Sequence, residues 1–136
     1  MPPPDEDSQT AVSDAPAPED PCVELREISG HTTIVTLVGE HDLLTRQRLS
    51  EQLERARTAA TVIVDLTPCT FLDSMIIATL LSTRHAKLAH RVELVLPAPG
   101  TIAYRALHLT GLPDFFTTHV TLEDALANAQ AASARV

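Results

Sequence analysis

Tryptophan is absent from this 136-residue chain, which holds two cysteines, four glycines, one tyrosine and three phenylalanines. Lysine occurs once, at Lys87. Each scarcity removes a class of protein. Cys22 and Cys69 are too few and too far apart for a disulfide framework, which fits a reducing cytoplasm. Glycines at 30, 39, 100 and 111 cannot form a phosphate-binding cradle, and no Gly-x-Ser-x-Gly elbow is present. A receiver domain needs an acidic pair after its first strand and a late lysine, whereas Lys87 falls within a helical stretch. No basic segment leads into an apolar one, so no signal peptide is read, and no apolar run is long enough to span a membrane. A net charge of −8 without basic clusters argues against binding nucleic acid. The six histidines (31, 41, 85, 90, 108 and 119) include no i,i+4 pair and no cysteine at ligand spacing. No metal and no cofactor are expected.

What is present divides in two. Residues 1–21 hold six of the ten prolines, six acidic residues (Asp5, Glu6, Asp7, Asp14, Glu19, Asp20) and no lysine or arginine. With Val12 as its single large aliphatic, this segment cannot offset the entropy of ordering, and it is predicted to be a disordered acidic leader. Residues 22–136 form one domain, long enough to bury a core without staples.

Within the domain, "VELREIS" (Val23–Ser29) alternates apolar and charged residues as a half-buried strand does. Gly30-His31 turns the chain into "TTIVTLVGE", completing an antiparallel hairpin. From Thr45 the period changes, and Leu49, Leu53, Ala56 and Ala60 make one apolar helical stripe. "TVIVDL" (Thr61–Leu66) is apolar on both faces, as a central strand should be. A loop containing Pro68 leads to Asp73-Ser74, which can start a helix running to about Ala89 with Ile77, Leu80, Leu81 and Leu88 buried. A strand at Arg91–Leu96, a helix from Thr101 to Leu109 ended by Gly111, a strand at Phe115–His119 and a helix capped by Thr121 complete the chain. The expected fold is α/β: a mixed sheet with an N-terminal antiparallel hairpin, its other strands largely parallel, packed by about four helices.

Three segments give this order a family resemblance. They are "GEHDLLT" at Gly39–Thr45, "VIVDLTPCTFLDS" at Val62–Ser74 and "LHLTGLPDFFTTHVTLEDALA" at Leu107–Ala127. In this order and spacing they resemble the STAS domain family of bacterial anti-sigma factor antagonists. The resemblance implies a non-enzymatic, cytoplasmic regulator of transcription that works by partner switching. The implied partner is an anti-sigma factor that is also a serine kinase of the histidine-kinase-like ATPase type, with a phosphatase restoring binding. Self-association stays open. The implied docking residues are Glu40 and Asp42 in the first turn, and Asp73, Ser74, Met75 and Ile76 at the helix start.

One departure bears on regulation. The family pattern reads Asp-Ser-Ser/Thr-Gly-Leu, with the phosphate acceptor two residues after the aspartate. Here "DSMIIA" puts Met75 at that position and Ile76 in place of the glycine. A thioether takes no phosphate, so phospho-control is either lost or moved to Ser74. The first turn of a helix offers unpaired amides and about half a positive charge. A phosphate on Ser74 would nevertheless lie beside Asp73, where two unit charges ~4 Å apart repel by about 4 kcal/mol at an effective dielectric near 20. Met75, if exposed, supplies an adaptable apolar contact and suggests a binder that is always competent. An alternative of another class is a STAS-type sensor or scaffold whose interior takes a small apolar ligand.

Overall fold

A computed structural model describes residues 21–41, 43–56, 58–86 and 91–134. Residues 1–20 of the predicted leader 1–21, Asp42 and the expected helix end at Leu88 and Ala89 lie outside the described residues. Alternation in the first segment sets the edge of the sheet. Strand β1 (Cys22–Glu27) turns Val23 and Leu25 toward the main core and Glu24 and Arg26 away from it. It pairs antiparallel with β2 (Thr32–His41), Val23 opposite Leu37 and Leu25 opposite Val35. This is the expected hairpin.

Helix α1 (Leu43–Arg55) buries Leu49 and Leu53, each contributing about 2 kcal/mol by removal from water. It ends sooner than the apolar stripe suggested. Ala60 lies past its end and is exposed, and Ala56 and Ala59 carry the burial instead. Strand β3 (Thr61–Asp65) is buried at every position, between β2 and the later strand β5 (Arg91–Val95). Both pairings are parallel.

The stretch between Leu66 and Asp73, expected to be a loop, holds a further strand, β4 (Cys69–Leu72). It pairs parallel with the end of β2: Gly39 with Cys69, Glu40 with Phe71, His41 with Leu72. The register shifts between Gly39 and Glu40, and Thr70 is the residue passed over. Gly39, where the register shifts, sits at φ 86°, a conformation that glycine adopts without a Cβ penalty. The Gly39 amide donates to the Pro68 carbonyl (3.0 Å), closing the turn from β3.

Helix α2 (Ser74–Ala86) follows directly. After β5 come α3 (Ile102–Thr110), a 3-10 turn at Leu112–Phe115, strand β6 (Thr117–His119) and α4 (Leu122–Ala134). The last strand begins two residues later than expected, because the 3-10 turn, with Pro113 near its start, takes up Phe115. Thr121 caps α4 as expected, while Thr101, read as the first residue of α3, is its cap. Thr101 accepts from the Tyr104 amide and Thr121 from the Asp124 amide, both at 3.1 Å, and Gly111 ends α3 at φ 74°.

The strand order is β1-β2-β3-β5-β6, with β1 alone antiparallel. One face carries the larger core, where Val35, Leu37, Val62, Val64 and Leu94 meet α1, α2 and α3. The other face packs Ile34, Ile63 and Val95 against Ala125 and Ala129 of α4. Because β2, β3 and β5 are parallel, their C-terminal ends share one end of the sheet. Helices α1, α2 and α3 all begin there, and β1 starts there too, with Cys22 opposite Val38.

Candidate functional site

At this end a backbone ladder holds two distant segments together. The ladder between β2 and β4 runs out at Leu72, and the next amide, that of Asp73, donates to the carbonyl oxygen of His41 at 3.2 Å. The turn before α1 and the start of α2 are therefore one continuous structure. His41 braces it from inside. Its ring is fully buried, with Nε2 donating to the Val38 carbonyl at 2.9 Å and Nδ1 lying 3.1 Å from Thr45 Oγ1. A lone histidine between two acids gave no hint of that role in the sequence.

The cap of α2 is Asp73 rather than Ser74. Asp73 Oδ1 accepts from the amides of Met75 (3.0 Å) and Ile76 (3.1 Å), two of the donors that a helix start leaves unpaired. Ser74 is the first helical residue and is exposed. Met75 is 41% exposed, and its carbonyl accepts from Thr79 Oγ1 at 2.8 Å.

Ile76 corrects an expectation. Its side chain is wholly buried in the main core with Ile77 and Leu80, so it offers no surface to a partner. Three residues into a helix capped at Asp73, it falls on the inward face, and its bulk fills core. Glu40 is exposed, and Asp73 is partly so. Of the six residues read as docking candidates, Glu40, Asp73, Ser74 and Met75 present surface at one end of the sheet. Asp42 lies outside the described residues.

Cys69, in β4, is buried, and that burial pushes its thiol up to about 12. It stays protonated and behaves as a small apolar core residue. Asp65, at the end of β3, accepts from the Thr67 amide (3.0 Å) and hydroxyl (2.7 Å), fixing the turn that delivers β4.

A second polar group escaped sequence reading. Glu93 in β5 is 1% exposed and sits on the face covered by α4. It accepts from Arg91 (2.7 Å), from His119 Nε2 (2.7 Å) and from Asn128 Nδ2 (3.0 and 3.2 Å). Burial would raise its carboxyl, but the hydrogen bonds from Arg91, His119 and Asn128 and the charge of Arg91 outweigh it and hold the group below the usual carboxylate range. This network fastens α4 to β5 and β6. A glutamate amid the apolar residues of "RVELVL" was the one available signal.

Among the described residues, no three His, Cys, Asp or Glu side chains are grouped to hold a metal ion. None of the described helices is long and apolar enough to cross a membrane. An open groove of about 530 Å³ lies at the opposite end of the sheet, lined by Ile28, Ser29, His31, Thr32, Leu126 and Gln130.

A mixed sheet with one antiparallel edge, four helices and a capped helix start held against the second strand define the class as a single α/β domain. The STAS domain model matches residues 23–125, and the chain belongs to that family. It is 30% identical over 112 residues to the anti-sigma-F factor antagonist RsfB of Mycobacterium tuberculosis, covering 81% of this chain and 90% of the relative. Its fold resembles the crystal structure of an anti-sigma factor antagonist from Mycobacterium paratuberculosis, with TM-score 0.72 and 27% identity over 84% of this chain and 97% of the other. It also resembles the anti-sigma factor antagonist SpoIIAA in its unphosphorylated form, with TM-score 0.69 and 20% identity over 81% and 97% of the two chains.

Proposed function

We propose that this protein is an anti-sigma factor antagonist, a cytoplasmic regulator that acts by binding rather than by catalysis. It docks through the surface built from Glu40, Asp73, Ser74 and Met75. Membership of the STAS family and the likeness to RsfB support the partner, an anti-sigma factor. The observation that carries the site is the Asp73–His41 backbone bond, which unites the two segments while leaving Ser74 and Met75 exposed.

The partner is an anti-sigma factor that is also a serine kinase, and the protein is always competent to bind it. Two features favour constant competence. Met75 occupies the acceptor position of the family pattern and has no hydroxyl. At Ser74, a phosphate would find the Met75 and Ile76 amides already engaged by Asp73, and would meet the charge of that carboxylate. The acidic residues of the rim act mainly on the rate of encounter with a basic partner surface.

The test is incubation with an active anti-sigma kinase and ATP, read by intact mass. The wild-type chain should gain no phosphate, whereas Met75→Ser should gain about 80 Da and lose its partner when ATP is added. A wild-type adduct that disappears in Ser74→Ala would replace this reading with a switch at Ser74. Failure to bind any anti-sigma factor, together with a melting shift on adding a small apolar ligand, would favour the sensor alternative.

A further inference from the structure

Strand β1 closes one side of the sheet, and among the described residues no strand pairs with its outer edge. One contact shows which of its backbone groups face outward. The Ile28 amide donates to the Thr32 carbonyl at 2.9 Å, in the register that sets Glu27 opposite Thr33. In an antiparallel ladder, the residues that bond a given neighbour alternate along the strand. Cys22, Glu24, Arg26 and Ile28 therefore bond β2, and the amides and carbonyls of Val23, Leu25 and Glu27 point away from it. The opposite edge strand, β6, has three residues, whereas β1 has six, with no proline and no register shift to blunt it.

Such an edge accepts another strand, and the side chains select which one. Glu24 and Arg26 are both exposed on one face, and among the described residues Arg26 forms no ion pair. The β1 of a second copy matches them when laid antiparallel about a two-fold axis at Leu25. Leu25 then meets Leu25 and Val23 meets Glu27, so every outward backbone group exchanges hydrogen bonds. On the other face, Glu24 of each copy stands opposite Arg26 of its mate. Cys22 stands opposite Ile28, which is 45% exposed in the single chain. Sliding the mate by two residues, the smallest step that keeps the faces aligned, sets Glu24 against Glu24 or Arg26 against Arg26. One register is favoured, and its neighbours are penalised.

We propose that β1 is a self-association edge, through which two copies of this chain join their sheets into one about a two-fold axis at Leu25. The leader is a poorer occupant. Its longest proline-free run, residues 5–15, carries four acids, no base and one large aliphatic, Val12, to lay beside Glu24 and Glu27. The antiparallel arrangement sends the two Ser74–Met75 surfaces to opposite ends of the joined sheet, so pairing leaves both open. A contact between two short strands is small and belongs with the weak, reversible interfaces.

Sedimentation equilibrium of the full chain, carried up to about 1 mM, should show monomer and dimer in exchange. Arg26→Glu and Glu24→Arg should each weaken the dimer at least tenfold, because each sets like charges opposite across the axis. Mixed together, the two variants should form a heterodimer, since every opposed pair is then unlike. Both side chains are exposed, so melting temperatures should stay close to wild type, which separates lost pairing from lost folding. Ile28→Cys gives an independent readout. In a non-hydrogen-bonded pair with Cα atoms about 4.5 Å apart, mild oxidation should link it to Cys22 of the mate, and wild type should give no such linked dimer. Within one chain the two positions are six residues apart along an extended strand, too far to bridge. A chain that stays monomeric throughout, or a dimer that both charge variants leave unchanged, would overturn the proposal. A dimer that forms only once residues 1–20 are removed would overturn it for the full chain and assign the edge to the leader. No anti-sigma factor enters the experiment, so the antagonist reading stands or falls separately.

Discussion

Asn128 of α4 donates to both carboxylate oxygens of Glu93, at 3.0 and 3.2 Å, on the sheet face where Ala125 and Ala129, flanked by Leu122 and Leu126, make the apolar contacts. Arg91 and His119 complete the ring of donors, so a wholly buried charge holds the last helix in place.

That arrangement has a definite pH signature. The folded-state carboxyl of Glu93 lies below its ordinary value, so its contribution is present above the unfolded value, about 4.3, and is lost as pH falls through the folded one. Urea denaturation from pH 7 to pH 3 should show stability falling at the acid end. Glu93→Gln should flatten that part of the profile and cost about 2 kcal/mol at pH 7, because a charge-assisted acceptor is lost inside the fold. An unchanged profile would show that the network contributes nothing to stability.

The helix cap predicts a contrast between two substitutions. Asp73→Ala removes the acceptor for two amides and should destabilise the domain by about 1 kcal/mol. Asp73→Asn keeps an acceptor oxygen and should retain most of that stability. Equal losses in chemical denaturation would mean that charge, not the cap, is what counts.

Gly39 stands in a left-handed conformation at the bulge between β2 and β4. Gly39→Ala should cost at least about 1–2 kcal/mol through backbone strain. The loss should appear as a lower urea midpoint with an unchanged slope, since the surface exposed on unfolding stays the same.

The two cysteines should respond differently to a thiol reagent. In the native protein at pH 8, Cys22, which is partly exposed, should react promptly, whereas Cys69 should react only after unfolding. Two fast equivalents from the folded chain would contradict the burial of β4.

Periodicity made most of the fold legible. The hairpin, the apolar stripes, the central strand, the cap at Thr121 and the Gly111 stop follow from local residue patterns and match the structure. Strand β4 did not, because four residues after a proline carry no alternation to read. Cys69–Leu72 becomes a strand only through pairing with the distant end of β2. The candidate site was half legible. "LDS" marks a helix start, but aspartate and serine are both good caps, and only the backbone assigns the role to Asp73. Ile76 looked available because the family pattern has glycine there, whereas the helix phase set by that cap turns it inward. Glu93, His119 and Asn128 meet only in three dimensions.

The bulged pairing of β4 with β2 also acts as a ruler for α2. Each residue added to or removed from 66–72 would rotate the first turn of that helix by about 100° or break the alignment of His41 with Leu72. The orientations of Ser74 and Met75 are thus dictated from the far side of the chain, by residues near 40. A serine one place early cannot drift into its neighbour's station unless the whole ladder slips.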